Sequence, residues 1–190
     1  QKYYSTAKTG LGHYLGFNAG KTGGKFRTDY NFSLLSDTYD PNDMGYLRRN
    51  NGISHSLDFS YSTYEPIGNI MSTRTSLDFS YEQLFRPRAF TSAGIQLDGM
   101  LLLMNYWSMS LDVEFTPWGE DDYFEPRTDD MSMFYHRPPS VSIGFRGDTD
   151  KSKRFYIEGN AGYMKAWSDY DQYGYMWSVQ PEFKASRRFS

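Results

Sequence analysis

The stretch ISHSLDFSYSTYEPIGNIMSTRTSLDFSYE, Ile53 to Glu82, contains the string SLDFSY twice, at Ser56–Tyr61 and again at Ser76–Tyr81. Each copy lies inside a longer run of period two, the side-chain period of a β-strand. In the first run Ile53, His55, Leu57, Phe59, Tyr61 and Thr63 alternate with Ser54, Ser56, Asp58, Ser60 and Ser62. In the second, Met71, Thr73, Thr75, Leu77, Phe79 and Tyr81 alternate with Ser72, Arg74, Ser76, Asp78, Ser80 and Glu82. Pro66-Ile67-Gly68 lies between them, so the stretch reads as a β-hairpin with one greasy face and one small, polar face. Both apolar sets fall on odd numbers, and antiparallel partners share a face, so paired positions must sum to an even number. A three-residue loop with Pro66 at its first corner and Gly68 at positive φ satisfies this, placing Leu57 opposite Leu77 and Ser60 opposite Arg74. A five-residue loop is the alternative.

The same alternation recurs along the chain. Phe26, Thr28, Tyr30, Phe32 and Leu34 oppose Arg27, Asp29, Asn31 and Ser33, and Leu11, His13, Leu15 and Phe17 form a weaker run before them. Ala93, Ile95, Leu97 and Leu101 alternate with Gly94, Gln96 and Asp98. After a reversal at Met104-Asn105, Trp107, Met109, Leu111, Val113 and Phe115 alternate with Ser108, Ser110, Asp112 and Glu114. Further runs cover Val141–Phe145, Phe155–Tyr163 and Trp177–Phe183. These make roughly nine strands, many of about 9–13 residues, longer than the usual five or six of soluble sheets.

Short reversals at Gly20–Gly24, Pro66–Gly68, Met104-Asn105 and Asp148–Ser152 alternate with longer connections at Asp37–Gly52, Gln83–Ala89, Pro117–Pro139 and Ser168–Gly174. An up-and-down sheet then carries all its long loops at one end, the layout of outer-membrane barrels.

Composition narrows the class. Aromatic residues make up 18% of the chain, with 17 Tyr and 14 Phe, which favours β-structure. No run of about 18 apolar residues exists, and a mean hydropathy of -0.70 excludes a helical membrane protein. There is no Cys, so disulfides, thiolate metal sites and Cys nucleophiles are excluded. A net charge of -3 gives no electrostatic case for a nucleic-acid partner.

From alternation alone, a soluble β-sandwich or small barrel, such as a carbohydrate-binding module, fits as well as a membrane barrel. Three features favour the membrane. Strand length suits a tilted bilayer span. Aromatics gather near strand ends, at Trp107, Trp118, Tyr123, Phe124, Trp167, Tyr173, Tyr175 and Trp177, as in interfacial girdles. The polar face is built of Ser, Gly, Asn and Asp with mixed charges, as suits a lumen. The expected fold is therefore all-β, an antiparallel up-and-down transmembrane β-barrel with about nine strands visible. Residues 1–190 are read as a single barrel domain or a segment of a larger barrel of about fourteen or more strands. Lipid-facing residues are Phe26, Tyr30, Phe32, Leu57, Phe59, Tyr61, Leu77, Phe79, Tyr81, Leu111, Val113 and Phe115. Lumen-facing residues are Arg27, Asp29, Asp58, Arg74, Asp78, Asp98, Asp112 and Glu114, with Asp58, Arg74 and Asp78 expected to compensate one another. Lys165, on the apolar parity near a strand end, is expected to snorkel.

The loops carry a resemblance. Tyr39–Asn51, YDPNDMGYLRRNN, resembles the DPNDLG(F/Y)L-x-RNN signature of the C-terminal barrel in a large Bacteroidota outer-membrane family. Members of that family often bear a carbohydrate-binding family-nine-like domain upstream. YEPIG at Tyr64–Gly68, DYFEPR at Asp122–Arg127 and RPPS at Arg137–Ser140 are similar to further family strings in the same order. The resemblance implies an outer-membrane protein of a Gram-negative bacterium, more chain on both sides, and a link to carbohydrate handling or a larger outer-membrane assembly. Its partners would be outer-membrane lipid and lipopolysaccharide, and other outer-membrane subunits through the long loops. No nucleic acid is expected.

Candidate chemistry is sparse. Asp40, Asn42 and Asp43, and separately Glu120, Asp121 and Asp122, offer oxygens to a hard cation, but neither string has the spacing of an EF-hand and Asx-turn chemistry accounts for both. Arg48, Arg49, Arg127 and Arg137 could meet lipopolysaccharide phosphates; bridging the acidic loop residues is the favoured reading. Of the three His, only His136 can be drawn into a triad, with Ser140 and Asp130, and no nucleophile-elbow motif accompanies it. The expectation is an anchor, pore or docking subunit, with no enzyme activity and no cofactor.

Overall fold

The computed structural model describes residues 11–39, 49–126, 128, 130–170 and 172–185. Among them every regular element is a strand: β1 (Tyr14–Lys21), β2 (Phe26–Leu35), β3 (Gly52–Thr63), β4 (Ile70–Leu84), β5 (Phe90–Leu103), β6 (Ser108–Thr116), β7 (Glu120–Asp122), β8 (Tyr135–Arg137), β9 (Ser140–Asp148), β10 (Phe155–Ala166) and β11 (Gln172–Phe183). Nine of them form one antiparallel up-and-down sheet in the order β1-β2-β3-β4-β5-β6-β9-β10-β11. The first strand begins at Tyr14, later than the run starting at Leu11. Before it, His13 and Ser36 exchange backbone contact, with Ser36 N–H donating to His13 O at 2.9 Å.

The short strands β7 and β8 extend the β6–β9 ribbon past an irregularity at Pro117–Gly119 and Pro138-Pro139. Glu120 pairs Arg137 and also lies opposite Ser92 of β5. Gly119 makes the bend possible. Its φ is 70°, and a Cβ there would lie 2.1 Å from the carbonyl oxygen of Arg137. Gly119→Ala is therefore expected to detach β7 from β8, with about 1–3 kcal/mol of backbone strain alone; faster proteolysis of the 117–139 ribbon, with the rest of the sheet intact, is the readout.

The register joins like to like across the sheet. Tyr30, Leu57, Phe79, Ile95 and Phe115 lie in one lateral row, and Thr28, Phe59, Leu77, Leu97 and Val113 in the next. The even-sum rule holds in the central hairpin, but its register differs from that read in sequence. Leu57 faces Phe79, Ser60 faces Ser76, and Arg74 faces Ser62. The turn is two residues, Gly68-Asn69, because Gly68 takes φ 57° at the first corner and Ile67 and Ile70 exchange backbone hydrogen bonds of 2.9 and 3.0 Å. Tyr64-Glu65-Pro66 then opposes Met71-Ser72, and the additional residue restores parity.

The strand ends that flank the longer connections, Leu35 and Gly52, Leu84 and Phe90, Thr116 and Ser140, and Ala166 and Gln172, lie at one end of the sheet, and those that flank the turns at the other. β1 and β11 each pair on one side only, so the sheet is open among the described residues. A single sheet has no second layer to form a core. Among the described residues one buried apolar cluster, Leu84, Tyr123 and Met131 with Ala89 and Phe124 against it, sits at the long-loop end, where residues of the β7–β8 connection pack on the end of β4. Tyr123 and Phe124, read in sequence as girdle residues, belong to this cluster. Burial pushes the Tyr123 phenol up from its ordinary pKa. Tyr173 is the second residue of β11, at its end, whereas Tyr175 and Trp177 lie farther within the strand.

Candidate functional site

Two features stand out: the contrast between the faces of the sheet, and a cleft beneath the long loops. The twelve residues read as lipid-facing all lie on one face, because the register pairs their rows across β2, β3, β4 and β6 through β5. Phe26, Leu57, Tyr61, Phe79, Tyr81 and Leu111 are exposed, and Tyr30, Phe32, Phe59, Leu77, Val113 and Phe115 are half-buried by their lateral neighbours. On the same face, the exposed large side chains range from 37% exposed at Leu57 to 77% at Tyr175. Toward the long-loop end their rings link up: His55 touches Phe32 and Tyr81, Tyr81 touches Phe90, and Phe90 meets Trp118 edge-on. The Tyr30 hydroxyl is 2.8 Å from His55 Nδ1, which satisfies the imidazole within this belt. Lys165, next to last in β10, lays its ammonium 5.7 Å from the Trp167 ring.

Arg27, Asp29, Asp58, Arg74, Asp78, Asp98, Asp112 and Glu114 share the opposite face. The expected compensation among Asp58, Arg74 and Asp78 is not observed. The turn at Gly68-Asn69 shifts the register, so Asp58 lies directly between Asp29 and Asp78, while Arg74 lies between Ser62 and Met100. Asp98 likewise faces Asp112. Like charges directly opposite destabilise a ladder by roughly 0.2–1 kcal/mol each. Near β1, Asn18 and Asn31 offset part of this by donating amide N–H groups to Asp29, at 2.6 and 2.7 Å.

At the long-loop end of this polar face lies a cleft of about 400 Å³. Its floor is a row across the sheet: Ser33, Ser54, Glu82, Ser92, Glu120 and Arg137. Arg49, Asn51, Asp122 and Phe124 overhang it. Asn51 is 1% exposed with φ 62°, a left-handed conformation that Asn tolerates better than most residues. Its side-chain amide donates to the Arg86 carbonyl at 2.8 Å and accepts from the Arg86 N–H at 2.8 Å, so it clasps the β4–β5 connection as another strand would. Asn50, also buried, donates to the carbonyls of Asp37 and Tyr39 at 3.1 and 3.0 Å. Arg49 stacks on the Phe124 ring at 4.8 Å and pairs with Asp122 at 3.3 Å. The string Arg49-Asn50-Asn51 thus ties three loops together, and Arg86 adds a 3.7 Å ion pair to Asp37. Sequence reasoning used this string as a signature and favoured a bridge from Arg49 to the acidic loop residues, but did not anticipate the clasp made by Asn50 and Asn51. The signal for its role was present in Leu35 and Leu84, two apolar residues on the polar parity at the long-loop end, which demand a cover.

The acidic string Glu120-Asp121-Asp122 is consumed by pairing rather than convergent. Glu120 meets Arg137 at 3.0 Å, Asp121 meets His136 Nδ1 at 2.6 Å, and Asp122 caps the backbone N–H of Phe124 and Glu125 as an Asx turn does. Among the described residues no three His, Asp or Glu side chains are grouped to hold a metal ion. Asp40, Asn42 and Asp43, with Arg48 and Arg127, lie outside the described residues. The drawn triad is not assembled: His136 pairs with Asp121, Asp130 accepts from the Ser132 N–H at 3.1 Å, and Ser140 bonds Thr116 at 2.9 Å. The Ser132 hydrogen bonds hold the Asp130 carboxyl below the usual range. Among the described residues no helix is long and apolar enough to cross a membrane, which leaves strand-built spans open.

No curated protein and no solved structure matches the chain. A family described as a domain of unknown function matches it over residues 1–190. With its sheet, loop clasp and signature strings all inside that span, the chain belongs to the DUF5916 family.

Proposed function

We propose that this domain forms part of the wall of an outer-membrane β-barrel in a Gram-negative bacterium, with its apolar face in lipid and its polar face toward a lumen. It acts as an anchor, pore or docking subunit and carries no catalysis. One observation supports this most: a nine-stranded single layer presents a face of Leu, Phe, Tyr and Trp side chains, many exposed, with no second layer over it among the described residues. A soluble sandwich would cover that face with a second sheet about 10 Å away. The aromatic belt around His55, the paired Lys165–Trp167 contact and the segregation of long loops to one end fit the same reading. The strings at Tyr39–Asn51, Tyr64–Gly68, Asp122–Arg127 and Arg137–Ser140 resemble those of the Bacteroidota outer-membrane family, which supports the same reading, and the loops, facing outward, are where lipopolysaccharide or neighbouring subunits would be met.

Fractionation tests this directly. The protein is expected in the outer-membrane fraction, soluble only with detergent, and with gel mobility that changes on heating; a detergent-free soluble protein would contradict the proposal. Sidedness is a second expected outcome. On intact cells, added protease should reach Asp37–Gly52 and Pro117–Pro139 and spare Pro66–Gly68 and Asp148–Ser152, because only long loops face outward. Cuts confined to the short turns would mean the barrel is inverted.

A further inference from the structure

We infer that the edge at β11 is covered by an antiparallel strand of different sequence, the first of an odd number that intervene between β11 and β1. This rests on the barrel reading above. Tyr14 lies opposite Leu35 at the long-loop end of β2, and Gln172 lies opposite Ala166 at the long-loop end of β10. Both edge strands therefore run away from the long loops, in the same direction. Direct closure of β11 on β1 would be parallel, in a sheet whose every ladder is antiparallel. A second copy inserted in the same orientation offers the same two edges, so head-to-tail joining is parallel as well. Pairing like edges antiparallel would turn one copy upside down in the bilayer. Leaving the edge bare in hydrocarbon costs several kcal/mol per unsatisfied group. An odd number of oppositely starting strands resolves all of this and makes the total even.

The structure also specifies the first such strand. The Lys184 N–H donates to Arg154 O across the β10–β11 ladder, so even-numbered residues of β11 point their backbone groups at β10 and odd-numbered ones at the free edge. Tyr173, Tyr175, Trp177 and Val179 supply consecutive pairing positions, and Pro181 lacks the next donor, so the new ladder is continuous near the long loops and interrupted toward the turns. On the polar-parity face Met164 and Met176 are exposed and lie over Gly174 and Gly162. Farther toward the turns come Ser178, Gln180 and Glu182, with Asn160 donating to Ser178 at 2.5 Å. The partner strand would carry aromatic or aliphatic residues outward, an apolar residue inward beside Met176, and polar residues inward beside Gln180.

Residues 1–190 contain no Cys, so Cys pairs introduced into this sheet meet no native thiol within it. In the intact protein in its own membrane, Ala19→Cys is combined in turn with Tyr175→Cys, Trp177→Cys, Val179→Cys and Phe183→Cys, with Ala161→Cys plus Trp177→Cys as the positive control, since those two face each other. The expected result is a disulfide in the control and none in the scan, together with slow hydrogen exchange at Tyr175, Trp177 and Val179 in the detergent-solubilised protein. An intramolecular disulfide in the scan would show self-closure, a disulfide-linked dimer would show copy-to-copy joining, and exchange as fast as in the 22–25 turn would show an open edge. Each overturns the inference. Partition of the same samples separates this from failure of the barrel reading, which would leave the protein in the aqueous fraction.

Discussion

Asn51→Val is expected to lower stability by about 2–4 kcal/mol, among the largest effects of any single substitution in the domain. It removes two hydrogen bonds to the Arg86 backbone and leaves that donor and acceptor poorly solvated, at roughly 1–3 kcal/mol each when buried. It also forces a β-branched side chain into φ 62°, a further cost of order 1–3 kcal/mol that relaxation partly relieves. Asn51→Gly keeps the backbone conformation and loses only the clasp, so it should fall between the two. Urea unfolding of the three proteins gives the order wild type, glycine, valine. Equal stability of the two variants would show that the clasp alone matters, and wild-type stability in both would show that the string is not a structural tie.

Phe59→Arg is expected to cost roughly 2–4 kcal/mol, the depth-dependent penalty for Arg on the lipid face near mid-span. Phe59 lies between Thr28 and Leu77 and packs its ring on Phe26 and Phe79. The neighbouring change, Ser60→Arg, enters the other face between Arg27 and Ser76, on a surface that also carries Asp58, Asp78 and Asp98. It should cost far less. Folding into liposomes across a urea series compares them, and equal tolerance at the two sites would remove the distinction between the faces.

Much of this was legible from period two alone. Alternation locates the strands and both faces, because a side chain's face depends only on its parity within a strand. Register was less legible. Pro66 and Gly68 suit one turn as well as another, and only the backbone choice at Gly68-Asn69 decides that Asp58 meets Asp78 rather than Ser76. The loop end was least legible, since Asn51, Arg86 and Asp122 are far apart in sequence and meet only once three connections converge. Even there, Leu35 and Leu84 announced a covered spot by breaking parity. Met164 and Met176 break it in the same way beside β11.

The central claim, that the odd-numbered face of β3 meets lipid and the even-numbered face a lumen, is tested most directly by spin labels. Single Cys substitutions from Leu57 to Ser62 in the reconstituted protein would each carry one label, with no native Cys among residues 1–190 to compete. Collision rates with oxygen, which concentrates in hydrocarbon, and with a water-soluble nickel complex are then compared site by site. Oxygen accessibility peaking at positions 57, 59 and 61, with troughs at 58, 60 and 62, is the predicted result. The same odd positions shielded from both reagents, as beneath a second sheet, or open chiefly to the nickel complex would contradict it.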